Sequence, residues 1–250
     1  DQWAVTRCND LVAECRRHYG GYEFHSVYRA IYNFCVIDMS NFYLDIIKDR
    51  LYCEAPGSFP RKSAQSAIYR ILDAMVRLLA PVLAFTSEEV WAAMPHAQGD
   101  DAESVLFNPM PEADPALAFT PEQSAYWADI LALKDDVNKA LEEVRAAKTV
   151  KKSTDAKLTL YLDDSAWERF QKLQGHHFEA LFIVSRVEIV HGAGQGYQGE
   201  AFPGLTVRVE MDEAPKCPRC WNHHPSIGTP GGHPELCPRC AAVVRAMGLE

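Results

Sequence analysis

Lys216-Cys217-Pro218-Arg219-Cys220-Trp221, answered after sixteen residues that follow Cys220 by Cys237-Pro238-Arg239-Cys240, is the stretch on which the reading of this chain turns. Each C-x2-C turn can bring two sulfurs onto one metal ion, and two such turns complete a tetrahedron of thiolates. Four protein ligands leave no position for water, so the expected ion, one zinc per chain, is structural rather than catalytic. His223, His224 and His233 lie between the pairs, but two complete pairs make them unnecessary as ligands. The competing reading is two disulfides. Against it, Cys8, Cys15, Cys35 and Cys53 stand in apolar, helical-looking sequence, where cysteine behaves as a small core hydrophobe. Eight cysteines in 250 residues is also far from the density of a secreted disulfide scaffold. The sequence has neither a signal-peptide pattern nor an apolar run of the roughly 18 residues that span a bilayer. A reducing, cytoplasmic setting without a membrane partner is the expectation. The chain opens at Asp1, almost directly on a helical pattern, as a piece of a longer protein would.

Upstream of the cysteines the periodicity is that of strands. Leu158, Leu160 and Leu162 alternate with other residues, as do Phe182 and Val184, Val187 and Ile189, and Leu205, Val207, Val209 and Met211. A helix around Trp167, Phe170 and Leu173 separates the first two strands, and Gly192 to Gly204 is a glycine-rich loop. Before these, Thr120-Pro121-Glu122-Gln123 carries a capping box with Pro at the first helical position, opening a helix to about Ala147. Asp100 to Asp114 holds five acids and no Lys or Arg, which reads as a solvated linker. The first hundred residues read as helices joined by short connections, hence a bundle. Cys8, Leu11, Val12 and Cys15 form one stripe, ended by Gly20-Gly21. Phe24, Val27, Ile31 and Phe34 begin a second, which either continues through Phe42, Ile46, Ile47 and Leu51 or breaks near Ser40. Ile68, Ile71, Leu72, Met75, Leu78 and Leu79 make the cleanest face, closed by Pro81, and Thr86 with Glu89 caps a short helix that Pro95 stops. No internal repeat or low-complexity tract stands out. The expected fold is mainly α: a helical bundle with acidic linker at 1–115, a long connecting helix at 116–150, a small α+β unit at 151–213 and a four-cysteine zinc knuckle at 214–250.

The composition is that of an ordinary globular protein, 48% hydrophobic and 24% charged, with a formal charge of −9. Distribution matters more than the sum. From Ala214 onward Lys216, Arg219, Arg239 and Arg245 outweigh Glu235 and Glu250, so the cysteine module is locally basic. No GxxxxGK[ST] loop, strand-borne GxGxxG, GxSxG elbow or HExxH helix is present. Asp45 with Asp49, and Glu142 with Glu143, beside Lys48 and Lys139 at helical spacing, read as solvated faces rather than acid–base pairs. Trp221 beside Arg219 and Lys216 is either packing for a small module or a stacking platform next to phosphate-pairing charges. Lys48 and Arg50 either pair with Asp45 and Asp49 or reach nucleic acid, and Lys148, Lys151, Lys152 and Lys157 either are solvated or track a phosphate backbone.

Several segments are familiar. Tyr22-Glu23-Phe24-His25, Ala30-Ile31-Tyr32-Asn33-Phe34-Cys35 and Ser40 to Tyr52 resemble the anticodon-binding helical domain of isoleucyl-tRNA synthetases, as do Leu79 to Trp91, Val137 to Glu142 and Phe182 to Glu188. The terminal cysteine knuckle followed by Trp221 narrows the resemblance from the valyl and leucyl relatives to the isoleucine enzymes. The resemblance implies an ATP-dependent parent ligase that charges tRNA with isoleucine. Its nucleotide-binding fold, its HIGH and KMSKS signatures and its editing domain precede this region, so no catalytic residue is expected here and ATP belongs to the absent catalytic domain. The implied partner is tRNA bearing the isoleucine anticodon, bound by a monomer. Carried over by position, Lys48 and Trp221 match places used near the anticodon, with Arg50, Arg219 and Lys216 as weaker candidates. Val150-Lys151-Lys152-Ser153 departs from the Ile-Gly-Lys-Ser type expected there and lacks its glycine. Two rivals stand beside this reading. A similar knuckle occurs in formamidopyrimidine-type DNA glycosylases, whose N-terminal proline and glutamate are not matched by Asp1-Gln2, and the region could be a purely structural buttress.

Overall fold

The computed structural model describes residues 1–173, 175–228 and 233–248. The chain divides into two compact units. One comprises Asp1–Asp45 and Phe59–Phe119; the other comprises Ile46–Ser58 and Thr120–Glu250. The segment 46–58 thus belongs with the cysteine module, although the chain on either side of it belongs to the helical unit.

In the first unit, α1 (Gln2–Gly20) packs against α2 (Phe24–Asn33) and α5 (Phe59–Leu79). Cys8, Leu11, Val12 and Cys15 form the buried stripe of α1, as their spacing predicts, and Trp3 extends it. Burial pushes the Cys8 thiol up to about 12 and Cys15 up to about 11, the behaviour of inert core thiols. After α2 the chain does not break at Ser40 but continues as a wide π-helical segment, Phe34–Tyr43, then the single turn α3 (Leu44–Ile46). On α5 the buried face is built from Ala64, Ala67, Ile71, Ala74, Val76 and Leu78, while Leu72 turns outward at 36% exposed.

Two expectations fail in this unit. Helix α6 (Ala84–Ala93) starts two residues before Thr86, with Leu83 at its cap position and no side-chain cap. Ser87 N–H already donates to the Leu83 carbonyl at 2.9 Å, so Thr86 lies inside the helix and has no orphan amide to cap. The acidic stretch is also no solvated linker. Asp100 accepts from Arg77 at 2.8 Å, Glu112 from Arg16 at 3.1 Å, and Asp114 exchanges hydrogen bonds with Asn9. Val105 is buried in a cluster with Val76, Ala80, Trp91 and Met94, and the Trp91 indole N–H donates to the Asp101 carbonyl at 3.1 Å. The lack of basic residues within the stretch is matched by arginines on the helices beneath it, which makes it a strap.

The second unit contains α4 (Lys48–Cys53) and the long α7 (Pro121–Ala146). The capping box at Thr120 forms in both directions, Gln123 N–H to Thr120 Oγ1 at 3.2 Å and Thr120 N–H to Gln123 Oε1 at 3.0 Å. The sheet has the order β2-β1-β4-β3, with β1 Ala156–Leu162, β2 Arg186–His191, β3 Tyr197–Gln198 and β4 Leu205–Met211. β1 runs parallel to β2, across the crossover helices α8 (Asp164–Gln171) and α9 (Phe178–Phe182), and antiparallel to β4. Leu158, Leu160 and Leu162 are fully buried. Phe182 and Val184 are not a strand. Phe178, Leu181 and Phe182 recur at helical spacing on α9, which ends with Ile183 in the left-handed region at φ 60°. The expected glycine loop contains β3, and a Cβ on Gly196 would collide with the Val207 backbone of the neighbouring strand. No helix among the described residues is long and apolar enough to cross a membrane.

Candidate metal centre and nucleic-acid interface

The sulfurs of Cys217, Cys220, Cys237 and Cys240 all lie within 4.8 Å of one another, with Cys220 Sγ 3.7 Å from Cys237 Sγ. Zinc–sulfur bonds of about 2.3 Å in a regular tetrahedron separate sulfurs by about 3.8 Å. The cage therefore has the size and donor set that zinc requires. None of the eight cysteines is in a disulfide.

Local sequence builds each half of the cage differently. Cys217 to Cys220 form a tight turn in which Trp221 N–H donates to the Cys217 carbonyl at 2.9 Å, while Lys216 pairs with His223 across a short antiparallel bridge. Cys237 stands at the cap position of α10 (Pro238–Ala246), with Pro238 at the first helical position and Cys240 on the first turn, where the helix dipole favours thiolate. Cys237 N–H points at Cys217 Sγ at 3.5 Å, and Ile227 and Leu236 pack against the sulfurs. Hydrogen bonding from Cys220, and from Arg219, depresses Cys240 to about 4, while Cys220 is pushed up by its hydrogen bond to Cys240 and by burial. A dication held by Cys217, Cys220, Cys237 and Cys240 would replace this sharing of protons, since coordinated thiols are deprotonated outright. His223 takes no part: its ring nitrogens face the Ala214 carbonyl and Asp155. His224 Nδ1 accepts from Ser226.

The basic and aromatic candidates fall into two groups. Lys216 forms an ion pair with Asp155, and Arg219 donates to the Cys53 carbonyl at 2.6 Å and to Cys240 Sγ at 3.6 Å, so both tie the knuckle to its surroundings. Trp221 is 62% exposed, with its backbone left-handed at φ 64° and Lys152 Nζ lying 5.8 Å from its ring centroid. The ring does not fill a core. Lys148, Lys151 and Lys152 are exposed on the turn after α7, Lys48 is exposed at the start of α4, and Arg50 is half-buried. Lys157 pairs with Glu188 across β1 and β2 at 2.9 Å. The left-handed residue of that turn is Lys148, at φ 60°, so no glycine is needed at Lys151.

One important residue escaped the sequence reading. Arg239 forms a two-pronged pair with Asp49, one arm at 2.7 Å, and its guanidinium is raised by that hydrogen bond above the ordinary arginine value. Asp49 therefore faces the knuckle rather than only its helical neighbours. The signal was present: Cys-Pro-Arg-Cys occurs twice, at 217–220 and 237–240, a four-residue repeat with an arginine at the same place in each.

Known proteins bear on these features in the same order along the chain. A family model described as the anticodon-binding domain of tRNA ligase matches residues 1–160, and one described as a zinc finger found in FPG and IleRS matches residues 215–243. Curated relatives called isoleucine–tRNA ligase include that of Syntrophotalea carbinolica, 42% identical over 244 residues, covering 98% of this chain and 26% of the relative. Those of Nitratidesulfovibrio vulgaris, 43% identical with 99% and 26% covered, and Thioalkalivibrio sulfidiphilus, 40% identical with 100% and 27% covered, are similar to it in the same way. The chain thus spans about a quarter of the length of the curated relatives it matches. With the helical unit and the four-sulfur cage both accounted for, the chain belongs to the anticodon-binding domain family of tRNA ligases.

Proposed function

We propose that this chain is the part of an isoleucine–tRNA ligase that recognises the anticodon of its tRNA, acting by binding alone. The observation that carries the reading is Trp221: an exposed indole in a left-handed backbone position on the sulfur cage, flanked by Lys152. An aromatic face with cations beside it stacks an unpaired base and neutralises its phosphates. Cys217, Cys220, Cys237 and Cys240 hold one structural zinc ion, which fixes the turn that presents the ring. Lys48 and Arg50 on α4, with Lys148, Lys151 and Lys152, supply further positive charge toward the RNA. Arg219 and Lys216 contribute by holding the knuckle. The parent enzyme uses ATP to attach isoleucine, in the cytoplasm and as a monomer, with that chemistry outside residues 1–250. Functional division at 115, 150 and 213 assigns the bundle and strap, connecting helix, α+β junction and knuckle their separate tasks.

Filter binding of the chain to tRNA with the isoleucine anticodon, against the same tRNA with a swapped anticodon, tests the proposal. Preference for the first is expected, with log affinity falling linearly in log salt as phosphate contacts release counterions. Equal affinity for both would favour a buttress, and preference for lesion-bearing duplex DNA would favour the glycosylase-type reading.

A further inference from the structure

We propose that Arg239 is a positioning residue, through which the cysteine centre sets the place of the RNA-facing helix α4. The inference rests on the proposed role of Lys48 in binding tRNA. Helix α4 has six residues, too few for its own hydrogen bonds to hold it. It is gripped near both ends instead. Toward its start, both guanidinium arms of Arg239 engage the Asp49 carboxylate, one at 2.7 Å, with Glu54 3.8 Å from the same group. At its last residue, Arg219 donates to the Cys53 carbonyl at 2.6 Å and the Cys53 thiol faces the Arg219 carbonyl at 3.9 Å. Each arginine immediately precedes a cysteine of the cage, Arg219 before Cys220 and Arg239 before Cys240.

The geometry of the sulfur cage is thereby passed, through the fork of Arg239 and one arm of Arg219, to a helix turn that presents Lys48, the residue before Asp49. The two hydrogen bonds from Arg239 fix direction as well as distance, which a lysine at that position could not do. An ion pair this accessible adds little to global stability. Its consequence is where Lys48 points. The duplicated Cys-Pro-Arg-Cys acquires a purpose on this view: two residues of each copy hold the metal, and the third holds α4.

The test uses the zinc-loaded chain carrying Arg239→Gln, Lys48→Ala, both together, and the charge exchange Asp49→Arg with Arg239→Asp. Arg239→Gln should retain its zinc and melting temperature yet bind tRNA about tenfold more weakly, the scale of coupling between residues in contact. Added to Lys48→Ala it should cost nothing more, and the charge exchange should restore most of the affinity. Hydrogen exchange gives a readout independent of RNA. Amides 48–53 should lose protection in Arg239→Gln and on zinc chelation, while α1 and α5 keep theirs. Additive losses with Lys48→Ala would mean that Arg239 meets RNA itself, and persistent protection of 48–53 after chelation would mean that the cage does not hold α4. Either result overturns the proposal. Normal binding by Lys48→Ala would instead remove Lys48 from the functional reading, leaving hydrogen exchange to decide whether the cage positions α4.

Discussion

Trp221 occupies backbone space that a bulky residue enters at a cost of about 1–2 kcal/mol. Glycine would adopt that conformation freely, and the ring gains little burial in return. Trp221→Gly is therefore expected to leave the melting temperature unchanged or raise it, while weakening tRNA binding by about 1–3 kcal/mol. Differential scanning fluorimetry beside filter binding reads both, and a variant that melts early yet binds normally would reduce the ring to packing. Asp136 illustrates the opposite kind of residue. Fully buried on α7, its carboxylate accepts the backbone N–H groups of Glu200, Ala201 and Phe202 at 2.7–3.1 Å, pinning the loop before β4. Asp136→Ala would leave three donors without partners, and should cost about 3 kcal/mol in urea unfolding.

At the scale of elements, the acidic strap is a hydrogen-bonded part of the helical unit. The Arg77 hydrogen bond holds the Asp100 carboxyl below the usual carboxylate range. A depressed folded value means the contribution is complete above the unfolded value, about 3.9, and disappears as pH falls through the folded one. Asp100→Asn should therefore lower the urea midpoint at pH 7, and the gap from the parent chain should narrow as acid protonates Asp100. A gap that stayed constant down to pH 2 would remove Asp100 from the acid sensitivity. The strap also separates what pattern can and cannot say about an element. A run of acids without lysine or arginine is a fact of sequence, but its partners Arg16 and Arg77 lie on α1 and α5, brought beneath it only by folding.

For the whole molecule, the two units should answer differently to loss of metal. Zinc binding free energy is folding free energy for a small knuckle, whereas the helical unit has its own apolar core. Titration of thiols with a mercurial reagent should release one zinc as four thiols react, with far-UV circular dichroism falling only slightly and tRNA binding lost. Retention of binding by the metal-free chain would separate the cage from recognition.

The cysteine cage, the capped start of α7, the alternation of β1 and the stripe of α1 were all legible in the chain alone. Each depends on residues close in sequence, whose spacing matches a turn of helix, the pleat of a strand or the reach of two sulfurs. Thr86 as a cap and Phe182 as part of a strand were misread because competing local patterns overlapped, and neighbours in the fold decided between them. Grouping segment 46–58 with the knuckle, the outward ring of Trp221 and the grip of Arg239 on Asp49 could come only from tertiary structure. Asp49 and Arg239 are 190 residues apart. A contact across that distance leaves no periodicity to read, because it is set by how separate elements pack and not by the geometry of any one of them.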